Sequence, residues 1–190
     1  MDNILFIDAT NHPESRTRFL AEHVLSKLIG NVTTVKLYET PIPEMDSDFC
    51  SWRTECCDTK NFEDAYFDFA KQFTAADSIV IAAPYWDLSY PAKLKQYLEA
   101  VTINGITFHY TEEGFPVGHA KAKALYYVTT AGGPIINESI CFGYVESLVQ
   151  NMFGIKECTW FKAEGLDIWG NDVAQILEKA KAEIDSYFSV

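Results

Sequence analysis

Residues 79–101 read IVIAAPYWDLSYPAKLKQYLEAV, a stretch that contains a strand, a loop and the start of a helix. Residues 78–83 form a short apolar run typical of a strand buried on both faces, and Pro84 ends it. A Tyr-Trp loop follows, and a helix is predicted from Pro91, because proline is favoured in the first turn of a helix. Ligands of open α/β sheets bind beyond the carboxyl ends of the strands. The stretch therefore predicts a binding loop suited to a flat aromatic ligand.

Length and charge restrict the class of protein. The chain has 190 residues, with 15 Lys and Arg against 27 Asp and Glu and a formal net charge of −12. One domain spanning residues 1–190 is expected from this length. The charge should repel nucleic acid and anionic membranes, so neither is predicted as a partner. A phosphate ligand would need local donors, such as hydroxyls and the amino terminus of a helix.

The cysteines and the amino terminus indicate a cytoplasmic protein. The five cysteines are odd in number and include no Cys-x-x-Cys pair, so neither a disulfide framework nor a metal site is expected. The first apolar run is too short and too acidic at its flanks for a signal peptide. No window approaches the length of a transmembrane helix.

Strand and helix patterns alternate along the chain. Strands are predicted at residues 3–9, 32–38, 78–83, 125–130 and 158–163. Helices are predicted from Ser15, over residues 61–73, from Pro91, and over residues 138–152 and 171–188. Because crossovers between parallel strands are right-handed, this order predicts an α/β three-layer sandwich, with a five-stranded parallel sheet and helices on both faces.

Two segments interrupt the alternation. Residues 39–60 lack clear periodicity and begin with Pro41 and Pro43, which favours a surface excursion with short helical turns. Residues 105–118 alternate between apolar and polar and then turn at residues 114–116, which favours a hairpin-like excursion.

Loops at residues 10–17, 84–89 and 130–133 should meet at the carboxyl edge of the sheet. The first carries short hydroxyl and amide side chains before a helix start, namely Thr10, Asn11, Ser15 and Thr17. Such a set is an anion cradle, although an ordinary helix cap uses the same residue types. In the third loop, Gly132 and Gly133 would let a ligand approach backbone N–H groups.

Flavin mononucleotide (FMN) has the parts that these loops would bind together. Its phosphate suits the helix start, its ring suits the aromatic loop, and its pyrimidine edge suits the backbone N–H groups of the glycine loop. No GxGxxG follows the first strand and no GxxxxGK[ST] occurs, so a Rossmann dinucleotide site and a P-loop are not supported.

Several motifs carry a resemblance to a known family. The segments PYWDLSYPAKLKQYLEAV, GITFHYTEEGFPVG and TTAGG, together with Ser15-Arg16-Thr17, resemble FMN-dependent NADH-azoreductases, which are related to the flavodoxin-like NAD(P)H:quinone reductases. The likeness covers most of the chain and is weakest in residues 39–62. It implies a flavodoxin-like fold, FMN as cofactor, NADH or NADPH as electron donor, and a homodimer with its active sites at the interface.

The resemblance also implies the site residues. The phosphate and ribityl end of FMN would be held by Thr10, Ser15, Arg16 and Thr17. The isoalloxazine would be lined by Pro84, Tyr85, Trp86, Asp87 and Leu88. Its pyrimidine side would be reached by Thr130, Ala131, Gly132 and Gly133. The substrate would contact Trp86 and Tyr110, the latter beside the flavin of the partner subunit. No side chain is expected to be an indispensable acid or base.

The chain departs from the family pattern at three positions. Asp87 stands where the family usually has Asn, Ala131 where a polar residue such as Arg is common, and Phe115 resembles a one-residue insertion. A carboxylate near the flavin disfavours its anionic reduced form. A lowered flavin potential is therefore expected.

The implied reaction is two-electron ping-pong hydride transfer from NAD(P)H through FMN to a quinone or an azo compound. The alternative is a flavodoxin-like electron carrier that serves a protein partner, which the acidic charge fits. Residues 105–118 and the aromatic residues of 49–52 favour the enzyme, because they could build a substrate pocket and a dimer. An iron-sulfur flavoprotein is a third possibility, although the spacing of Cys50, Cys56 and Cys57 argues against it.

Overall fold

The computed structural model describes residues 1–189, and Val190, the last residue of the expected domain, lies outside them. The strands are β1 (Asp2–Asp8), β2 (Gly30–Lys36), β3 (Ser78–Ala82), β4 (Phe108–Tyr110), β5 (Pro116–Gly118), β6 (Ala124–Thr130) and β7 (Glu157–Ala163). Five of them form a sheet in the order β2-β1-β3-β6-β7, and every pair in it is parallel. The strand order changes direction beside β1, which is where α/β folds of this kind place their ligands.

Helices cover both faces of the sheet. They are α1 (Arg16–Leu25), α2 (Ser47–Thr59), α3 (Asp68–Ala75), α4 (Ala92–Val101), α5 (Phe142–Leu148) and α6 (Val173–Phe188). On one face, Leu20 of α1 and Ile184 of α6 pack with Val80 of β3. On the other, Phe73 of α3 and Leu94 of α4 belong to the larger apolar cluster. The predicted three-layer sandwich is confirmed.

Burial on both faces explains the apolar runs in the central strands. Residues 79–82 of β3 are all 0% exposed. Each Val or Ile side chain in such a position stabilises the fold by about 1.5–3 kcal/mol relative to an exposed one. The strands that carry the binding loops are therefore rigid supports. Among residues 1–189, no helix combines the length and apolar character needed to cross a membrane.

The predicted hairpin is confirmed by the antiparallel pairing of β4 with β5. It is anchored by Thr107, whose buried hydroxyl donates to Val101 O at 2.7 Å and accepts from Ile103 N at 2.9 Å. Gly118 lies against the backbone of Phe153, where a side chain would have no room. The hairpin is thus fixed to the end of α4 and to the π-helical turn Val149–Phe153.

Residues 39–60 differ from the expected excursion because they contain a 13-residue helix, α2. Asp46 caps it by accepting from Phe49 N at 2.8 Å, and Lys60 ends it in the left-handed conformation at φ 55°. Within α2 only Cys56 is buried. The helix therefore lacks the broad apolar stripe by which a sequence reveals helices, and local caps define its ends.

Two predicted helices are divided in the structure. Residues 61–73 begin as a loop containing Phe62, continue as the short turn Ala65–Phe67 and become α3. Residues 138–152 form the turn Glu138–Ile140, α5 and the π-helical turn, and the break at Cys141 has φ −121° and ψ −92°. In both segments a side-chain cap creates a separate short turn that apolar periodicity does not show.

Other boundaries move by a few residues. β2 begins two residues before the predicted strand, because β1 pairs Asp2 with Gly30. α6 begins at Val173 because Asp172, not Asn171, caps it by accepting from Gln175 N at 3.1 Å. Pro91 is the residue before α4 and not its first helical residue.

Candidate functional site

The loops after β1, β3 and β6 enclose a cleft of about 420 Å³ at the carboxyl edge of the sheet. Its lining consists of Thr10, Asn11, His12, Glu14, Ser15, Arg16, Thr17, Pro84, Trp86 and Thr130. This volume lies in the range of small-molecule sites. All the loops that the sequence predicts to converge contribute to the cleft.

The start of α1 provides donors for an anion. Ser15 Oγ caps the helix by accepting from Arg18 N at 3.2 Å, which leaves its hydroxyl proton free to donate elsewhere. Within residues 1–189, the amides of Arg16 and Thr17 donate to no protein acceptor. Such unpaired amides, with the positive end of the helix dipole, favour an anionic ligand.

Thr17 joins the first loop to the third. Its hydroxyl lies 2.6 Å from that of Thr130, and both residues are buried. One hydroxyl donates to the other, so this pair retains one proton for a ligand. The contact fixes the spacing between the helix start and the end of β6.

Behind the first loop is a buried ionic cluster. Asp8 Oδ1 accepts from Thr10 N at 2.9 Å and from Thr10 Oγ1 at 2.6 Å. Arg18 donates from Nε to Asp8 Oδ2 and from Nη2 to Thr10 Oγ1, each at 2.7 Å. Both donors of Thr10 are therefore directed to Asp8, and Thr10 presents the cleft with no proton.

The aromatic loop is a tight two-residue turn. Trp86 and Ser89 exchange backbone hydrogen bonds of 2.9 and 2.8 Å, and the residues between them, Asp87 and Leu88, have φ of 49° and 68°. Left-handed conformations at both central positions are typical of a type I′ turn, in which leucine is strained by about 1–3 kcal/mol. In the described part of the chain, the Asp87 and Leu88 amides have no protein acceptor.

The rest of this loop is fixed to the sheet. Tyr85 N donates to Thr130 O at 3.0 Å, which continues the pairing of β3 with β6. Trp86 lines the cleft with 42% of its surface exposed, and its ring centroid lies 6.4 Å from that of Tyr38. A half-exposed indole on a fixed backbone can serve as an apolar bed for a planar ring.

The glycine loop after β6 is held by the loop that follows β7. Gly132 O accepts from Asp167 N at 2.9 Å, and a Cβ on Gly132 would lie only 3.0 Å from Asp167 Cγ. Asp167 Oδ1 pairs with Arg16 Nη1 at 2.9 Å. By contrast, a Cβ on Gly133 would meet no atom within 4 Å. Asp167 thus connects the glycine loop to the start of α1.

The structure brings most of the predicted residues together. Lining the cleft are Thr10, Ser15, Arg16, Thr17, Pro84, Trp86 and Thr130. On the same loops, but outside that lining, are Tyr85, Asp87, Leu88, Ala131, Gly132 and Gly133. Tyr110 is on β4, is 52% exposed and packs against Phe108, and it does not line this cleft. Its predicted place beside the flavin of the partner subunit stays a prediction.

Sequence reasoning missed Asp8 and Asp167. The signal for Asp8 is an acidic residue that ends an otherwise apolar strand, because a carboxylate there is buried only with a partner. The signal for Asp167 is topological, since the loop after the fifth sheet strand opens at the same edge as the other loops.

Three ionisable groups near the aromatic loop are buried or half-buried. Burial raises the pKa of the phenols of Tyr90 and Tyr127 and of the thiol of Cys141. These groups are therefore uncharged at neutral pH.

Ser89 Oγ donates to Ile140 O at 2.6 Å, which ties the aromatic loop to the segment before α5.

Comparison with known proteins agrees with this geometry. A family model described as a flavodoxin-like fold matches residues 2–188. The FMN-dependent NADH:quinone oxidoreductase of Clostridium beijerinckii is 36% identical, with 95% of this chain and 94% of that protein covered. FMN-dependent NADH:quinone oxidoreductase 2 of Clostridium acetobutylicum is 32% identical, with 98% of this chain and 100% of that protein covered.

Solved structures share the fold over the whole chain. The azoreductase of Bacillus anthracis str. Sterne superposes with a TM-score of 0.84 at 24% identity and covers 99% of both chains. An FMN-dependent NADH-azoreductase of B. anthracis str. Ames Ancestor, in complex with FMN, gives a TM-score of 0.81 at 23% identity and covers 100% of this chain and 98% of the other. By the family match and the identity to its relatives, the chain belongs to the flavodoxin-like family of FMN-dependent NADH:quinone oxidoreductases.

Proposed function

We propose that the protein is an FMN-dependent oxidoreductase that uses NADH or NADPH to reduce quinones, azo compounds or both. The observation that carries the proposal is the cleft in which the unpaired amides of a helix start, an aromatic loop and Thr130, the first residue of the glycine loop, meet. The names of the relatives, FMN-dependent NADH:quinone oxidoreductases, support the same activity. The likeness of the motifs to azoreductases supports azo compounds as further acceptors.

The residues present fit FMN. The free Ser15 hydroxyl proton and the unpaired amides of Arg16 and Thr17 match a phosphate in number and type of donor. The exposed indole of Trp86 matches the ring. The cleft, at about 420 Å³, is large enough for a substantial part of this cofactor.

Each loop would contribute in a distinct way. Ser15, Arg16 and Thr17 would hold the phosphate, and Thr10 would shape the wall beside it. Pro84, Tyr85, Trp86, Asp87 and Leu88 would line the isoalloxazine, and Thr130, Ala131, Gly132 and Gly133 would reach its pyrimidine side.

Backbone groups would provide most of the contacts to the ring. Within residues 1–189, the amides of Asp87, Leu88, Gly132 and Gly133 have no protein acceptor, so they can donate to the ring edge. Bound there, FMN would supply two-electron hydride chemistry between the nicotinamide and the acceptor. The protein positions the reactants and excludes water, and no side chain is required as an acid or base.

We also propose a homodimer in which Tyr110 of one subunit contacts the substrate beside the other subunit's cleft. Three large apolar side chains are exposed: Phe115 in the hairpin, Ile136 after the glycine loop and Trp169 in the loop after β7. Their exposed fractions are 68%, 74% and 99%. Such residues favour burial in an interface. The cytoplasm is the proposed location, because all five cysteines are free and a reducing compartment preserves thiols.

Steady-state kinetics with purified FMN-loaded protein test the activity. We expect NADH oxidation that depends on a quinone or an azo dye, with parallel double-reciprocal plots because one substrate leaves before the next binds. Absence of turnover with acceptors of either class would contradict the proposed function.

A further inference from the structure

A buried carboxylate lies directly behind the phosphate end of the cleft. Asp8 is 1% exposed and ends β1. Its Oδ1 accepts the Thr10 hydroxyl at 2.6 Å, and Thr10 lines the cleft. Thr10 offers the cleft no proton, so an anion beside it would not be hydrogen-bonded to it and would lie on the order of 6 Å from the Asp8 carboxylate.

This position is unfavourable for an anionic ligand unless the carboxylate is neutralised. Two negative charges about 6 Å apart near a protein surface repel strongly enough to raise a dissociation constant on the order of 100-fold. The formal net charge of −12 gives no general compensation, and Arg16, which lines the cleft, is itself paired with Asp167 at 2.9 Å. Phosphate binding at the start of α1 thus requires a local cation beside Asp8.

Arg18 is that cation. Its Nε donates to Asp8 Oδ2 at 2.7 Å, and its Nη2 donates to Thr10 Oγ1 at 2.7 Å. Its side chain is 26% exposed and lines a groove beside the cleft, not the cleft itself. The guanidinium is therefore committed to Asp8 and Thr10, whereas Arg16 lines the cleft directly.

We propose that Arg18 is a positioning residue for the FMN phosphate, which acts by neutralising Asp8 and orienting Thr10 and does not itself bind the phosphate. This inference rests on the proposed function, because it requires FMN in the cleft. The contribution of Arg18 to flavin affinity should therefore depend on the charge of Asp8. It should also be confined to flavins that carry a phosphate.

The test compares the dissociation constants of FMN and riboflavin for the apoprotein, measured by quenching of flavin fluorescence. Arg18→Gln should raise the dissociation constant of FMN on the order of tenfold or more and change that of riboflavin by less than about twofold. In the double variant Asp8→Asn with Arg18→Gln, the dissociation constant of FMN should return to within about threefold of its value in the original protein. The matched control is Lys27→Gln, which removes the same charge beyond the other end of α1, where Lys27 pairs with Asp185. It should leave both constants unchanged.

Three outcomes would overturn the inference. If the double variant binds FMN as weakly as Arg18→Gln, Arg18 contacts the phosphate directly. If riboflavin weakens as much as FMN, the role of Arg18 is only structural. Should Arg18→Gln fail to fold, the Asp8→Asn variant tests the inference instead. It leaves the positive charge of Arg18 uncompensated, so it should bind FMN at least as tightly as the original protein. Weaker FMN binding by Asp8→Asn would contradict the inference. An original protein that binds neither flavin contradicts the proposed function instead.

Discussion

Ser15 caps α1 with its oxygen, and in the proposed function its hydroxyl proton would donate to the FMN phosphate. Ser15→Ala should lower the free energy of unfolding by about 1 kcal/mol through the lost cap and also weaken FMN binding on the order of tenfold. Chemical denaturation of the apoprotein and flavin titration measure the two effects separately.

The matched control for Ser15 is Asp172, which caps α6 by accepting from Gln175 N at 3.1 Å. Asp172→Ala should cause a similar loss of stability and leave the FMN dissociation constant unchanged. Equal weakening of FMN by both substitutions would show that the effect of Ser15 comes from lost stability, against the phosphate-binding role.

Asp87 is one of the positions at which the sequence motifs predict a departure in charge from the family. It occupies the left-handed turn of the aromatic loop, where its carboxylate would disfavour a negatively charged reduced flavin. Asp87→Asn should raise the two-electron potential of bound FMN by on the order of 30 mV. Redox titration against a reference dye measures this shift.

Exposed Asp58 on α2 provides a control with the same change in charge. Asp58→Asn should leave the flavin potential unaltered. An Asp87→Asn potential that is unchanged or lower would reject the proposed influence of Asp87.

At the scale of elements, adjacent glycines of one loop should respond differently to the same substitution. A Cβ on Gly132 would crowd the Asp167 carboxylate, whereas one on Gly133 would meet nothing within 4 Å. Gly132→Ala should therefore displace Asp167 from Arg16 and weaken FMN by on the order of tenfold, while Gly133→Ala should change affinity less than about twofold. Flavin titration measures the FMN affinity of both variants. Equal affinities would contradict the role of Asp167 in connecting the glycine loop to the start of α1.

The elements that the sequence predicts well are those with buried faces. Residues 78–83 and 125–130 were identifiable as strands because helices cover both faces of the sheet and demand continuous apolar runs. Helix α2 was not identifiable, since it buries only Cys56 and depends on Asp46 and Lys60 at its ends. The turn Glu138–Ile140 likewise depends on its Asn137 cap and not on periodicity.

The same contrast holds for the candidate site. The loops with Ser15, Trp86 and Gly132 were predictable because each follows a strand and carries a distinctive residue type. The pairings of Arg18 with Asp8 and of Arg16 with Asp167 were not, since the second joins residues 151 positions apart. Folding alone brings these partners together, so single-sequence patterns do not contain them.

At the scale of the whole molecule, an acidic chain has to bind an anionic cofactor. The formal net charge of −12 provides no general attraction for phosphate, so in the proposed function FMN affinity would depend on a few local donors at the start of α1 and on the Arg18–Asp8 pair behind them. The resulting assembly is a rigid parallel sheet with loops from three strands closing one cleft.

Anaerobic titration of the purified, FMN-loaded protein with NADH alone distinguishes an NADH-dependent reductase from an electron carrier. If the cleft holds FMN and admits a nicotinamide, the absorbance of the oxidised flavin near 450 nm should bleach with about one NADH per flavin and return on addition of a quinone. A protein that binds no flavin, or a bound flavin that bleaches only when a separate reductase is added, would contradict the account, and the second result would indicate an electron carrier.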